Sequence, residues 1–409
     1  RPLSIMTFAV EHQFFGLNST VSHVINVILY GFGGYICFIT LKRLFKDKES
    51  SSGIYFSLAF LSSVLFLLHP IHTEAVANIK GRDEIMSFIF SMLALLYALR
   101  YVDTSNKNEL IKMVAAFFMG ILSKENTITF LAIIPFGLIL FRKGFMKSTT
   151  KVGMTLFATT IVYLIIRYLV MGYLLNENTS TDIMNNPFVG MEGFEKLATI
   201  LYTLLLYLKL SVFPHPLTHD YYPYHIPIMN FANVWVMLSL VLHITLTVAV
   251  FYFWKKNRVI AFSIGFYLAA MSIVSNLVVS VGTFMNERFA FTASLGICIL
   301  LVLLMQYLDS KFDLGQKLVT GMMILFLIGY GYKTLDRVPA WESALTLNRE
   351  AIKVSKNSAR ANSFMSTALF NEYKQSKNRE EKIKLLNEAQ PYAIKAVQLI
   401  PDYSNGNLM

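Results

Sequence analysis

The chain has 409 residues, of which 55% are hydrophobic, 14% aromatic and only 15% charged, with a mean hydropathy of +0.51. That much apolar surface cannot be hidden in a soluble core, which excludes a soluble globular protein and leaves an integral membrane protein. The net charge of +11 does not point to nucleic acid, because the basic residues fall in short clusters between apolar runs rather than on one soluble face.

Apolar runs predict helices near 21–41, 53–68, 85–101, 110–122, 127–141, 152–173, 197–213, 231–254, 259–279, 289–308 and 318–332. A crossing helix needs about 20 residues, so the pair flanking 123–126 is short and reads as half-depth or tilted helices beside a cavity. Basic clusters at Lys42, Arg43, Lys46 and Lys48, at Lys107 and Lys112, at Arg142, Lys143, Lys147 and Lys151, at Lys255, Lys256 and Arg258, and at Lys311 and Lys317 mark the cytoplasmic side. Both ends of 174–232 then face outward. The run 197–213 is therefore expected to lie in the interface or re-enter, with Lys209 snorkelling and Tyr202 and Tyr207 at headgroup depth. Everything after Tyr332 is expected outside as well.

After Lys333 the composition turns polar. Two similar phrases, from Ala351 to Ala361 and from Ala396 to Gly406, set small residues about a helix break, as the paired helices of tetratricopeptide (TPR) repeats do. The expected architecture is all-α. A polytopic transmembrane helix bundle over 1–332, with about ten spanning or half-depth helices, precedes the start of a soluble TPR-like helical segment over 333–409. Beginning at Arg1 rather than Met, the chain reads as a fragment. Cys37 and Cys298 lie inside apolar runs, which leaves no disulfide framework and no cysteine-type metal site.

Ionisable chemistry collects at 69–84, between two apolar runs. Pro70 fixes a turn there, and His69, His72 and Glu74 gather nitrogen and oxygen ligands suited to a divalent metal ion or a phosphate. Interfacial capping is the plainer reading of the same residues. Arg82 can clamp phosphate oxygens or anchor at headgroups, and Asp83 and Glu84 sit where a helix dipole favours acids. Lys124 and Glu125 form the outer turn of the short pair, and Arg288 begins another inward helix, a candidate contact for an anionic headgroup. Arg167, inside an apolar run, either snorkels or lines a polar cavity. His23, Asn26 and Tyr30 share one helix face and read as a packing stripe. No Walker, Rossmann or metalloprotease motif is present, so no nucleotide or organic cofactor is expected.

The phrases Arg1-Pro-Leu-Ser, Phe15-Gly-Leu-Asn with His23 and Asn26, His69-Pro-Ile-His-Thr-Glu-Ala-Val, Gly81-Arg82, Leu122-Ser-Lys-Glu125, Asn185-Asn-Pro-Phe188, Ser275-Asn-Leu277 and Glu287-Arg288 resemble those of the transmembrane and tetratricopeptide repeat-containing (TMTC) proteins. The resemblance covers nearly the whole chain. It implies a GT-C-type glycosyltransferase taking a sugar, mannose or a similar hexose, from a polyprenyl-phosphate carrier to a protein hydroxyl. It also implies an active face on the lumenal side of the endoplasmic reticulum or in the bacterial periplasm, with the TPR segment engaging the acceptor.

In such enzymes the main catalytic carboxylate sits in a first outer loop, upstream of the segment that begins here with Arg1. The residues carried over are supporting ones: Arg82, Lys124 and Arg288, with Arg167, for the carrier phosphate; Asp83 or Glu84 as auxiliary acid; His69, His72 and Glu74 for a metal ion or phosphate. Inverting displacement at the anomeric carbon is the expected chemistry. The rival classes are a membrane-anchored TPR scaffold and a lipid or solute transporter. The sequons at Asn18 and Asn178 fall on the expected outer side.

Overall fold

The computed structural model describes residues 1–46, 57–142, 144–173, 183, 186–222, 225–312 and 316–401. Lys48, Lys143, Asn178, Asn185 and Gly406, which entered the sequence reading, lie outside them, as do 53–56 of the second apolar run. The described residues hold helices and turns without a strand, so the expected all-α class holds.

In chain order the α-helices are α1 Pro2–Phe15, α2 Ser19–Leu44, α3 Leu58–Leu68, α4 Thr73–Ala77, α5 Arg82–Thr104, α6 Lys107–Ser123, α7 Phe130–Phe141, α8 Met146–Met171, α9 Gly193–Val212, α10 Val234–Lys256, α11 Arg258–Ser272, α12 Ser294–Phe312, α13 Gln316–Arg337, α14 Ala344–Val354, α15 Ala359–Gln375 and α16 Arg379–Leu399. Among the described residues four segments are long and apolar enough to cross a membrane: α2, Ile79–Thr104, α8 and α10. A fifth arises if the pair Leu58–Leu68 and Pro70–Ala77, bent by 51°, counts as one span. Shorter apolar helices cover Glu125–Phe141, Arg258–Ser272 and Ser294–Leu308. The short pair expected around 123–126 is thus present as α6 and α7. The expected re-entrant run 197–213 forms α9, which is not among the spanning candidates. The helix α1 was not anticipated, because Glu11 and His12 interrupt its apolar pattern.

By its contacts the chain divides into two compact units. One comprises Arg1–Asn176, Leu242–Val274 and Arg288–Thr334; the other comprises Glu177–Val241, Ser275–Glu287 and Leu335–Met409. The polar segment that composition separates after Lys333 therefore packs with two stretches from earlier in the chain.

In the first unit α5 is the central helix, packed between α2 and α6. Its apolar residues surround it on all sides, from Ile85 and Phe88 to Leu95 and Val102, all buried, as a helix enclosed by others requires. In the second unit α15 and α16 form a helical hairpin closed by Met365, Leu369 and Ala389, with Leu345, Ile352, Leu385 and Tyr392 against them. The small residues Ala359, Ala361, Ala368 and Ala396 are buried, which lets the helices approach closely. Caps follow the sequence: Asn18, Ser57, Asn257, Ser358 and Asn378 each accept a backbone N–H of the following first turn.

Candidate functional site

The loop between α3 and α5 is built by local rules. His69 is extended, Pro70 supplies the fixed φ that opens a 3-10 turn over Pro70–His72, and the His69 ring accepts the Ile71 N–H at 3.2 Å. Asn78 caps a second turn, Ile79–Gly81, through the Lys80 N–H. Gly81 is required: a Cβ there would lie 2.1 Å from the Ala75 carbonyl oxygen, so only glycine lets the turn fold onto α4. The next residues, Arg82, Asp83 and Glu84, open α5. Successive helical positions are rotated by about 100°, so the three side chains leave in three directions.

Arg82 points into the packing of α1, α2 and α5. It is fully buried, pairs with Glu11 at 2.6 Å, donates from Nε to Asn26 Oδ1 at 2.9 Å and from Nη2 to the Ser22 carbonyl at 3.3 Å, and lies over the Phe8 ring at 4.1 Å. The guanidinium read as a phosphate clamp or a headgroup anchor is paired in this structure with the Glu11 carboxylate inside the bundle. Asp83 instead pairs with Arg1, and Glu84 with Lys124. Asn126 Nδ2 adds a long contact to Glu84 at 3.4 Å. Arg1 also lies 3.6 Å from Glu125, and Glu125 pairs with Arg167 at 2.9 Å. Arg167, which the sequence left between snorkelling and a polar cavity, is therefore turned inward to a carboxylate and to the Tyr163 hydroxyl at 3.2 Å.

The histidine phrase is arranged differently from a ligand set. His72 Nδ1 lies 2.7 Å from the Tyr30 hydroxyl and Nε2 lies 2.9 Å from Ser294 Oγ, with the Phe66 and Phe291 rings at 4.4 Å. The His69 ring meets Tyr330 at 4.6 Å. Glu74 takes the Arg288 N–H at 2.9 Å and Arg288 Nη1 at 3.2 Å, fastening the short turn Glu287–Ala290 to α4. Among the described residues no three His, Cys, Asp or Glu side chains are grouped to hold a metal ion. The His69, His72 and Glu74 side chains, expected to gather round a metal ion or a phosphate, thus meet hydroxyl, aromatic and guanidinium partners.

Lys124 and Arg288 both lie near the Phe289 ring. Lys124 Nζ lies 5.7 Å and Arg288 Cζ 5.6 Å from the centre of the Phe289 ring. Lys124 is 3% exposed, whereas Arg288 is 28% and Arg1 39% exposed, so the cluster runs from a buried pair to accessible guanidinium groups. Sequence reading missed Arg1, Glu11 and Asn126 as members of this network. For Glu11 the available signal was a lone carboxylate in an apolar run, which needs a buried partner. Asn26 and Tyr30, read as a packing stripe, hold the loop itself: Asn26 reaches the Val76 and Ile79 carbonyls at 3.4 and 3.3 Å, and Tyr30 the Leu67 carbonyl at 3.0 Å.

Membrane-length helices and a buried, charge-balanced network define an integral all-α membrane protein with an ion-paired cluster at the head of α5. Comparison with curated proteins narrows this. The chain is 27% identical over 364 residues to a protein O-mannosyl-transferase of Caenorhabditis elegans, covering 88% of this chain and 49% of that protein. It is 26% identical over 432 residues to the protein O-mannosyl-transferase TMTC3 of Mus musculus, covering 98% and 44%. It is 25% identical over 399 residues to the protein O-mannosyl-transferase TMTC4 of Mus musculus, covering 87% and 53%. The chain is thus similar, at about a quarter identity, to proteins named as TMTC protein O-mannosyl-transferases. The chain spans about half the length of these curated relatives. No family model and no solved structure matches it.

Proposed function

We propose that this chain is the membrane part of a glycosyltransferase that moves mannose from a polyprenyl-phosphate carrier to a protein hydroxyl, on the lumenal or periplasmic face. The relatives' names supply the reaction class. The observation that carries the reading to this site is the pairing of Lys124 and Arg288 beside one aromatic ring, each tied to a carboxylate of the loop at 69–84. In the reaction the acceptor oxygen attacks the anomeric carbon, and the bond from that carbon to the phosphate oxygen breaks. The electron pair stays on the phosphate, and the hydroxyl proton passes to a carboxylate. The departing phosphate gains charge, so cations aimed at it stabilise the transition state more than the ground state.

Arg288, the more accessible of the two, is the first phosphate contact in this proposal, and Lys124 lies behind it. Asp83, whose Arg1 partner opens to water, is the auxiliary acid, and Glu84 holds Lys124. Arg167 acts through Glu125 and Arg1. Arg82 is a positioning residue that anchors α5. A second reading, a membrane-anchored helical scaffold, is favoured by one observation: each of these charges already has a protein partner, as in a purely structural network.

Transfer from radiolabelled polyprenyl-phosphate mannose by the purified protein separates the two. A charge-assisted contact contributes about 1.5–3 kcal/mol, so Arg288→Ala should slow transfer by about 10- to 150-fold while the protein stays folded. Arg288→Lys should recover part, because an ammonium lacks the planar fork. Equal rates would take Arg288 out of the site, and no transfer by folded wild type across donors and acceptors would decide for the scaffold.

A further inference from the structure

Among the described residues of the second unit, Arg337 is a buried arginine with no ion-pair partner. Arg337, the last residue of α13, is 5% exposed, and its Nε and Nη2 are both shielded from solvent with no hydrogen-bond partner. Its charge meets the negative end of the helix dipole there, yet among the described residues no acceptor receives its Nε or Nη2. A buried, uncompensated charge costs several kcal/mol, so folded chains rarely keep one without a counter-charge.

The neighbouring groups are incomplete in the same sense. The 3-10 turn Val338–Trp341 carries the chain one turn on from Arg337, and the Trp341 indole Nε1 is buried without an acceptor. The His219 ring lies 6.4 Å from the Trp341 ring, and its Nδ1 is likewise buried and unpartnered. Burial first, and then the fields of Arg337 and Arg360, push the His219 pKa down to about 4, which places both guanidinium groups within electrostatic reach of that ring. Arg360 stacks on Tyr222 at 3.9 Å and on Phe364 at 4.8 Å. It forms no ion pair among the described residues. The nearby acid is Asp220, whose Oδ1 accepts the Tyr222 N–H at 2.9 Å and Ser358 Oγ at 3.1 Å. A second acid, Glu287, accepts the Thr218 N–H and the Tyr221 hydroxyl of the same loop, and Asp220 Oδ2 has no hydrogen-bond partner among the described residues.

We propose that Arg337, Trp341 and His219, with Arg360 beside them, form a binding site for a phosphoryl group. The two unpartnered Arg337 nitrogens lie on one edge of the guanidinium, the edge that binds two oxygens of an oxyanion in parallel. The indole N–H supplies a third donor and the imidazole a fourth when it carries its proton on Nδ1. A carboxylate offers two oxygens, whereas a phosphoryl group offers three to donors supplied by different elements. The same chemistry comes from free phosphate or from a phospholipid headgroup. This site shares no residue with the one assigned to transfer.

The test is binding to the purified chain, without any sugar donor, so its outcome is separate from that of the transfer assay. Radiolabelled inorganic phosphate is titrated at constant ionic strength in detergent, and vesicles of phosphatidic acid or phosphatidylcholine form the second arm. Wild type should bind phosphate saturably, or bind phosphatidic acid vesicles in preference to phosphatidylcholine. The first outcome assigns the site to free phosphate and the second to a headgroup. Arg337→Gln should weaken whichever binding is seen by about tenfold or more, and Trp341→Phe by about 2- to 10-fold. Exposed Lys356→Gln should leave it unchanged. If Arg337→Gln fails to fold, Trp341→Phe and His219→Asn carry the decision. Binding absent in both arms, or indifferent to Arg337, Trp341 and His219, overturns the proposal.

Discussion

Lys124 and Glu84 form an ion pair inside the helix bundle, with side chains 3% and 1% exposed. Removing both charges from such a site can be nearly neutral, whereas removing one leaves the other stranded at a cost of about 3–5 kcal/mol. Lys124→Met or Glu84→Leu alone should therefore lower stability by about that amount, and the double variant Lys124→Met with Glu84→Leu should recover most of it. Thermal unfolding of the four proteins of this cycle in one detergent measures the coupling. Additive losses would show that the pair is not energetically joined.

Gly81 sets the angle at which α5 leaves the loop. Its missing Cβ would stand 2.1 Å from the Ala75 carbonyl oxygen, 2.7 Å from the Ala75 carbonyl carbon and 2.8 Å from Ala75 Cα, and all three obstacles are backbone. Gly81→Ala should destabilise by about 1–3 kcal/mol or more, as overpacking without a movable neighbour does, and should displace Arg82, Asp83 and Glu84 together. Gly321, with nothing within 4 Å of the same added atom, is the control: Gly321→Ala should unfold like wild type. A melting curve for each variant suffices, and an unchanged Gly81→Ala would mean that the turn can relax.

Much of this was legible in the residues alone. Apolar runs separated by basic clusters located the helices, and the density of charge at 69–84 marked the loop that organises the first unit. What one-dimensional reading could not supply was partnership. Arg82 and Asp83 are adjacent in sequence, yet one is buried against Glu11 and the other meets Arg1 at a partly exposed edge, because helical rotation sends neighbours to different surroundings. The histidine phrase looked like a ligand set for the same reason: spacing shows what can converge, while Tyr30 and Ser294, far away in the chain, decide what His72 touches. The break in composition after Lys333 marked the polar helices but not the loop at 214–222 that packs with them, since Asp220 is fastened there through Ser355 and Ser358.

That fastening carries a pH dependence. His219 has a folded pKa of about 4, below its ordinary 6.5, because burial and then Arg337 and Arg360 disfavour its charged form. Between those values the unfolded chain takes up a proton that the folded chain refuses, so His219 costs stability progressively as pH falls from about 6.5 toward 4. His225, also lowered by burial, adds in the same sense. Asp220, raised above its usual range chiefly by burial, works in the opposite sense once pH falls below its raised folded value. Stability measured from pH 7 to 4.5 should fall, and His219→Asn should flatten the slope. An unaltered slope in that variant would assign the acid sensitivity elsewhere.

Arg82 gives the sharpest separation between structural and chemical roles. Its guanidinium is wholly buried, paired with Glu11 at 2.6 Å and bonded to Asn26 at 2.9 Å, so it has no free edge for a ligand. Arg82→Ala should leave Glu11 as an unpaired buried carboxylate and cost about 3–5 kcal/mol. Arg82→Lys keeps the charge but loses the planar fork that serves Glu11, Asn26 and the Ser22 carbonyl at once, so it should recover only part of the stability. Adding Glu11→Gln to Arg82→Ala should recover some as well, because the stranded charge is gone. Transfer, normalised to folded protein, should change little in Arg82→Lys, whereas Arg288→Ala should lose specific activity beyond whatever stability is lost by unpairing Glu74. Comparing melting temperature with specific activity across these variants decides the matter. A well-folded Arg82→Lys protein with its specific activity lost would return Arg82 to the substrate site.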